Sequence, residues 1–415
     1  MKNNRKQDGW DDRYDSLEEL ADGVSERLGC PVTIEDAGNR LLAYSTHSGS
    51  TDSARIATII SRRVPEQVIG SLSQEGIMSR LAQSDEPVRI PAIPSIGLGR
   101  RTAIAIRKNS TLLGYIWVLE ESRTLDESGL ASLKQAAGAA AGKLERHYTK
   151  KRKELERRQD FFWQLLTGES RPDERVRAEA EKLGVTLPGT YRIAIVQGAT
   201  RLEEVLGKQL NEALPSLWKA RAPLSASGGR EWIWLLEETE QIRTAAAADA
   251  TAACLRSLAD RYGLQGGMSA ALSTASSDYS QLGSGYREAQ TVLQLKAGFP
   301  EQVGPLFAYD DLGHYRWLPY LAEQNRQARY TNPCLERLRA YDAEHHSSLL
   351  ETLAVFLAKD CNGKEAAEAL HLHANSLNYR LKRIAEIGRI RLDSMDQKVT
   401  LYLDLQAEAF LKRSK

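Results

Sequence analysis

Between Cys361 and Ser394 the chain reads CNGKEAAEALHLHANSLNYRLKRIAEIGRIRLDS. Two short helices joined by a tight turn satisfy that pattern better than any other arrangement. Asn362 is a good N-cap with Glu365 three residues on, as in a capping box. Ala366, Ala367 and Leu370 give the first helix a small face suited to close packing. Leu372–His373–Ala374 is the connection, and a second helix is predicted from about Asn375, another good cap. At about 100° per residue, Leu377, Leu381 and Ile384 fall on one narrow face and point inward. The pair is a helix-turn-helix.

The opposite face carries chemistry. Ser376, Asn378, Tyr379, Lys382 and Arg383 point outward, with Arg380 on the flank. From Tyr379 to Arg391 there are five Lys/Arg and one Glu, in a protein whose 56 basic and 55 acidic residues leave it at +1. The molecule as a whole is no polycation, so nucleic-acid contact must come from local charge such as this. Arg and Lys donate to guanine, Asn to adenine, and Ser, Tyr and Lys hold phosphates. Lys364, His373 and Asn375 complete the candidate DNA-binding set. A basic solvated helix in a bundle would share the charge. The preceding Ala-rich helix and the spacing favour DNA.

The rest of the chain bounds the architecture. At 415 residues it is long enough for two to four domains. Its four cysteines are scattered without a CxxC pair, which fits a reducing cytosol and argues against a disulfide framework. The first residues lack the apolar core of a secretion signal, and no run approaches about 18 apolar residues. Residues 1–15 read as a loose tail. Leu17, Leu20, Val24 and Leu28 then recur at helical spacing, PVTIEDAGNRLLAYS reads as a β-hairpin, and 52–83 as helical. RTAIAIRKNSTLLGYIWVLEE is a second hairpin, so 16–148 is an α+β domain. From Leu125 to about Leu166 runs a long helical pattern. Leu130, Leu133, Ala137, Ala140 and Leu144 hold the 3-4 rhythm of a coiled-coil seam, which implies a twin helix in a dimer. From Lys143 to Arg158, running into the linker helix at 149–168, eight Lys/Arg stand against three Glu, which reads as a solvated helix. Strands YRIAIVQ, EWIWLL and GGMSAALS alternate with helices over 169–300, predicting an α/β sandwich. Val303–Tyr309 looks strand-like. The remainder of 301–415 is helical, with the helix-turn-helix region at about 347–411.

Here the chain resembles the PucR/CdaR-type bacterial transcriptional regulators. Their C-terminal signature is a leucine-rich helix followed by A-x-x-L-x-x-H-x-N-T-L-x-Y-R-L-x-R-I. This chain has LLETLAVFL and then AAEALHLHANSLNYRLKRIAEI. Leu370, His373, Asn375, Leu377, Tyr379, Arg380, Leu381, Arg383 and Ile384 match in register. Ser376 stands where Thr is usual, and GRIRLDS departs from the usual T-G-x-D-L. FAYDDLGHYRWLPYL and CLERLRAYD are also similar to the family. GGMSAALSTASSDYSQLGSGYREAQTVLQL resembles its degenerate GGDEF-like domain. SGGREWIWLL sits where a cyclase carries GG[D/E]EF, with Arg230 in the first acidic position, only Glu231 left and Trp232 for Phe. Gln197–Gly198 ends the first strand without a metal-binding Asp, so a scaffold, not an enzyme, is implied. The N-terminal domain resembles a GAF-type sensor, whose small ligand would lie between sheet and helices, within 30–120.

The resemblance implies an α+β multidomain, cytoplasmic regulator: GAF-like sensor, linker helix, GGDEF-like sandwich and all-α helix-turn-helix domain. It would bind double-stranded DNA as a homodimer or higher oligomer, answer a small effector, engage RNA polymerase and activate catabolic genes of amino-acid or purine and nitrogen metabolism. No cofactor or metal is expected. His371, His373, Cys361 and the pair His345–His346 lack ligand spacing, and GLQGGMS lacks the Lys and Ser/Thr of a phosphate loop. Trp232 and Trp234 share a strand face and suit a core. The competing reading is a nucleotide second-messenger enzyme or binding scaffold built on the GGDEF-like domain.

Overall fold

The computed structural model describes residues 14–46, 51–121, 123–202, 204–264 and 266–413. Most of the expected N-terminal tail therefore lies outside the described residues. The chain divides into two compact units, residues 1–155 and 156–415, and its class is α+β with several domains.

The first unit opens with α1 (Leu17–Leu28), capped by Ser16, whose side chain accepts from the Glu19 N–H. β1 (Val32–Asp36) and β2 (Leu41–Tyr44) form the expected hairpin. The helical stretch resolves into α2 (Ser53–Ser61), α3 (Glu66–Gln74) and α4 (Ile77–Gln83). A short β3 (Val88–Ile90), which the sequence pattern did not reveal, precedes the second hairpin, β4 (Arg101–Lys108) and β5 (Thr111–Leu119). Asn109 and Ser110 turn that hairpin with φ of 48° and 65°, the left-handed pair a tight two-residue loop needs. The strands make one antiparallel sheet in the order β2-β1-β5-β4-β3.

Alternation along the strands gives that sheet two apolar faces. Ile104, Ile106, Ile116 and Val118 pack with α1 and with the first half of α5 (Glu127–Thr167). Ala103, Ala105, Tyr115 and Trp117 pack with α2–α4 through Ala54, Val68, Leu72, Ile77 and Leu81. Leu133, Ala137, Ala140 and Leu144 are buried in the first of these cores, with Leu130 partly buried beside them. The expected coiled-coil seam is therefore a correction: it faces the molecule's own sheet. A helix lying on a sheet needs the same one-sided stripe as a helix lying on its twin. The long helical pattern read from Leu125 to about Leu166 is α5, which runs unbroken from Glu127 to Thr167 and takes in the stretch read as a linker helix.

In the second unit the last turns of α5 place Phe161, Phe162, Leu165 and Leu166 in a new core. α6 (Asp173–Lys182), β6 (Tyr191–Gly198) and α7 (Glu204–Trp218) follow. Then come β7 (Leu224–Gly228), β8 (Glu231–Glu237), α8 (Ala245–Tyr262), β9 (Met268–Leu272) and α9 (Leu282–Gly298). The sheet is antiparallel throughout, ordered β7-β8-β6-β9. Tyr191, Ile193 and Ile195 face α9 and the end of α5, while Ala194 and Val196 face α7 and α8. Trp232 and Trp234 are buried on the second face, and both indoles donate to Asn211 Oδ1, at 3.1 and 2.5 Å. Val303–Tyr309 is not a strand. It is a series of turns with a single parallel bridge from Ala308 to Leu272. Helices complete the unit: α10 (Leu318–Ala328), α11 (Pro333–His345), α12 (Leu349–Ala358), α13 (Gly363–Ala369), α14 (Ala374–Gly388) and α15 (Met395–Arg413). Ala407 and Phe410 of α15 pack back on the core that holds α9 and α10.

One buried acid stands out. Glu35, in β1, is 3% exposed and burial pushes its carboxyl up to about 8. The charges around it are Arg101 of β4, Arg55 of α2, Asp36 of its own strand, and Asp52, which pairs with Arg101. A carboxyl raised on folding binds a proton that the unfolded chain has lost above pH of about 4.3. Its contribution is favourable at low pH and is lost as pH climbs toward 8. Glu35→Gln should remove that loss. In urea melts of the two proteins from pH 5 to 9, the variant's midpoint should draw ahead of wild type as pH rises.

Candidate nucleic-acid interface

α13 and α14 are held at a close crossing by small residues. Ala366 and Ala367 are buried against Leu377 of α14 and Phe356 of α12. Asn362 caps α13 by accepting from the N–H groups of Lys364 and Glu365, at 3.0 and 3.4 Å, and its amide donates to Glu365 Oε1 at 2.7 Å. The connection is wound tightly. His371 adopts φ of 54°, its N–H bonds the Glu368 carbonyl, and the Leu372 N–H bonds that of Ala367. The start of α14 differs from expectation. Its cap is His373, whose Nδ1 accepts from the Asn375 N–H at 3.3 Å, so Asn375 lies inside the first turn. Ring nitrogens do for this helix what a carboxamide oxygen was expected to do.

The inward face of α14 is as the spacing implied. Leu377 and Ile384 are buried and Leu381 is partly buried, the latter two against Leu349, Leu353 and Leu357 of α12 and Leu338 of α11. At its far end Arg337 Nη2 donates to the Gly388 carbonyl at 2.5 Å, neutralising the negative end of the helix.

On the opposite side Asn375, Ser376, Asn378, Tyr379 and Lys382 are exposed, Tyr379 at 70%. Lys364 and His373 are exposed at the starts of α13 and α14. The two arginines behave differently. Arg380 is partly buried and donates to Thr352 Oγ1 of α12 at 3.1 Å. Arg383 lies 5.2 Å over the Tyr341 ring, donates to the Tyr341 hydroxyl at 3.2 and 3.3 Å, and meets Glu386 at 3.2 Å. That hydroxyl and carboxylate raise the Arg383 pKa further, fixing it as a cation. The structure thus gathers Asn375, Ser376, Asn378, Tyr379 and Lys382 on one open surface, and fixes Arg380 and Arg383 at its edge. Between this edge and the α11–α12 turn runs a concave cleft of about 490 Å³, lined by Tyr341, Ser347, Asn375, Tyr379, Arg380 and Arg383. Thr352 and Tyr341, which orient the arginines, were missed in the sequence because they belong to other helices. Arg389 was counted only as charge; it is exposed at the C-cap of α14 with φ of 55°.

The hairpin of the middle domain has a different character. Gly229 turns with φ of 61°, and Arg230 donates to the Ala199 carbonyl. Glu231, the one remaining carboxylate, accepts from Gln197 Nε2 at 2.9 Å and from the Tyr286 hydroxyl at 2.7 Å. Both of its oxygens are engaged within the fold.

Comparison with known proteins settles the family. Residues 349–407 match the PucR C-terminal helix-turn-helix domain, and residues 167–295 the GGDEF-like domain. Over 393 residues the chain is 37% identical to the DNA-binding transcriptional activator AdeR of Bacillus subtilis (strain 168), across 95% of this chain and 93% of that protein. The chain belongs to the PucR family of transcriptional regulators. It is also 28% identical over 396 residues to the proline-responsive transcriptional activator PutR of the same organism, covering 94% of this chain and 96% of PutR. A 127-residue stretch is 32% identical to the carbohydrate diacid regulator of Escherichia coli (strain K12), covering 30% of this chain and 31% of that protein. In this PucR-family chain the matched helix-turn-helix domain runs from α12 into α15, with α13 and α14 between them.

Overfilling the α13–α14 contact should disturb this surface without touching it. Ala367→Leu adds a branched side chain to a packed site and should cost about 1–3 kcal/mol. Urea denaturation monitored by circular dichroism would read that loss.

Proposed function

We propose that this protein is an effector-responsive transcriptional activator whose α14 docks in the DNA major groove. Asn375, Ser376, Asn378, Tyr379 and Lys382 supply contacts to bases and phosphates, Lys364 and His373 reach the backbone from the starts of the two helices, and Arg380 and Arg383 flank the groove. The observation that carries this reading is the division of α14: Leu377 and Ile384 are buried, while the opposite polar face is exposed and backed by two oriented guanidinium groups. A helix whose polar side served only solubility would not need its arginines held by Thr352 and Tyr341. Oriented donors lose less entropy on binding.

A small metabolite sensed by the N-terminal domain shifts the population toward a DNA-competent dimer. The operator is then two-fold, with half-sites about 10 bp or a multiple apart. RNA polymerase is the downstream partner and catabolic genes, for amino-acid or purine and nitrogen metabolism, the targets. PutR is named as proline-responsive and the Escherichia coli relative for carbohydrate diacids, both small metabolites. Among the described residues no helix is long and apolar enough to cross a membrane, which accords with work in the cytoplasm. Catalysis by the GGDEF-like domain is not part of this reading. Its last hairpin carboxylate already accepts from Gln197 and Tyr286, which would compete with a metal for its oxygens.

Mobility shifts on DNA fragments selected by the protein from a random pool test the assignment. Lys382→Ala should weaken binding to all sequences about equally and lower the salt slope by about 1. Arg383→Ala should weaken the selected sequence more. If the double variant binds the selected fragment as tightly as wild type, α14 is not the reading helix.

A further inference from the structure

On the α2–α4 face of the N-terminal sheet, three polar side chains converge without satisfying one another. Glu35 accepts a long 3.4 Å bond from Thr33 at Oε1, while Oε2 has no partner. Trp117 stands beside it on β5, opposite Thr33; its indole N–H approaches the Glu35 carboxyl closely enough to favour the charged form, without completing a hydrogen bond. Arg55 of α2, 7% exposed, donates through Nη2 to the Ser45 carbonyl at 3.0 Å. All three line one recess, closed on its far side by Arg101, which is bound to Asp52 and to the Gly99 carbonyl.

An acid and a guanidinium buried in one recess cost free energy unless something is to be bound there. They do not pair with each other. One offers an empty acceptor, the other a cationic donor, and the indole a second donor. We infer that this recess is the effector site of the sensor domain and that it takes a small α-amino acid as its zwitterion. The α-carboxylate accepts from Arg55 and the Trp117 N–H, and the α-ammonium donates to Glu35 Oε2. Pro31, Thr58 and Leu119 border the recess where the ligand's side chain would lie. The empty recess has about 10 Å³ of free volume, room for roughly one water. Binding therefore moves α2, which carries both Arg55 and Thr58, away from the sheet. The inference rests on the sensor role proposed above for this domain.

The full-length protein is examined by thermal shift against each proteinogenic L-amino acid at millimolar concentration. Propionate and ethylamine serve as half-ligands, and purines and sugar diacids as other metabolites. At least one small aliphatic amino acid should raise the melting temperature by several degrees, while propionate and ethylamine do nothing. Glu35→Gln keeps the shape and, below pH 8, the neutral state of the empty site. It should melt no lower than wild type yet lose affinity about tenfold or more by calorimetry. Arg55→Lys should weaken binding similarly. Stabilisation by an amino acid that survives both substitutions overturns the site. Stabilisation by a purine or diacid alone overturns the ligand class and leaves the sensor reading standing. Silence from every compound overturns both.

Discussion

The contact of Ala366 and Ala367 with Leu377 decides how the C-terminal domain presents itself. The α13 residues buried there, Ala366 and Ala367, present only methyl groups to Leu377. Because the first helix is so thin on that side, the second is drawn in by its leucines, and its polar half is forced out. Larger side chains would hold the helices apart and let α14 rotate. Everything proposed about DNA follows from that orientation: which residues are open, which arginines are fixed, and why Tyr341 and Thr352 matter though neither faces outward. The capping groups serve the same end. Asn362, His373 and Arg337 satisfy helix termini that a thin, exposed motif cannot bury.

The other domains differ in how far their polar groups satisfy one another. The central sheet carries a helical layer on each face and the β7–β8 hairpin. Glu231 is tied to Gln197 and Tyr286, and Arg230 to a backbone carbonyl. Those bonds stabilise the hairpin as a scaffold. The N-terminal sheet does the reverse. Glu35 is buried there with one carboxyl oxygen unbonded, close to the buried Arg55 of α2, which spends its hydrogen bond on the Ser45 carbonyl.

The parts of the molecule governed by short-range rules were legible. Helical spacing placed Leu377 and Ile384 inside, the capping pair placed Asn362, and the turn formers placed both hairpins of the first domain. Readings that depended on partners far along the chain were not. The stripe from Leu130 to Leu144 read as a coiled-coil seam because periodicity says that a face is buried, never against what. β3 and β7 are too short to show alternation beside Pro and Gly. Val303–Tyr309 has strand composition, but only Ala308 finds a strand to bridge. His373 took the cap expected of Asn375, since the turn at His371 begins the helix two residues early. Arg380 and Arg383 looked like free cations; their anchors lie 28 and 42 residues upstream.

Tethered cleavage would probe the central claim directly. A chelated iron attached through Asn378→Cys, in full-length protein whose Cys30, Cys254, Cys334 and Cys361 are replaced by alanine, generates hydroxyl radicals at the middle of the exposed face. On a selected DNA fragment the account predicts cuts clustered at two positions about one helical turn, or a multiple, apart, each centred on a major groove. Specific binding with no cleavage from position 378, and with cleavage from a tether on the central domain instead, would contradict it.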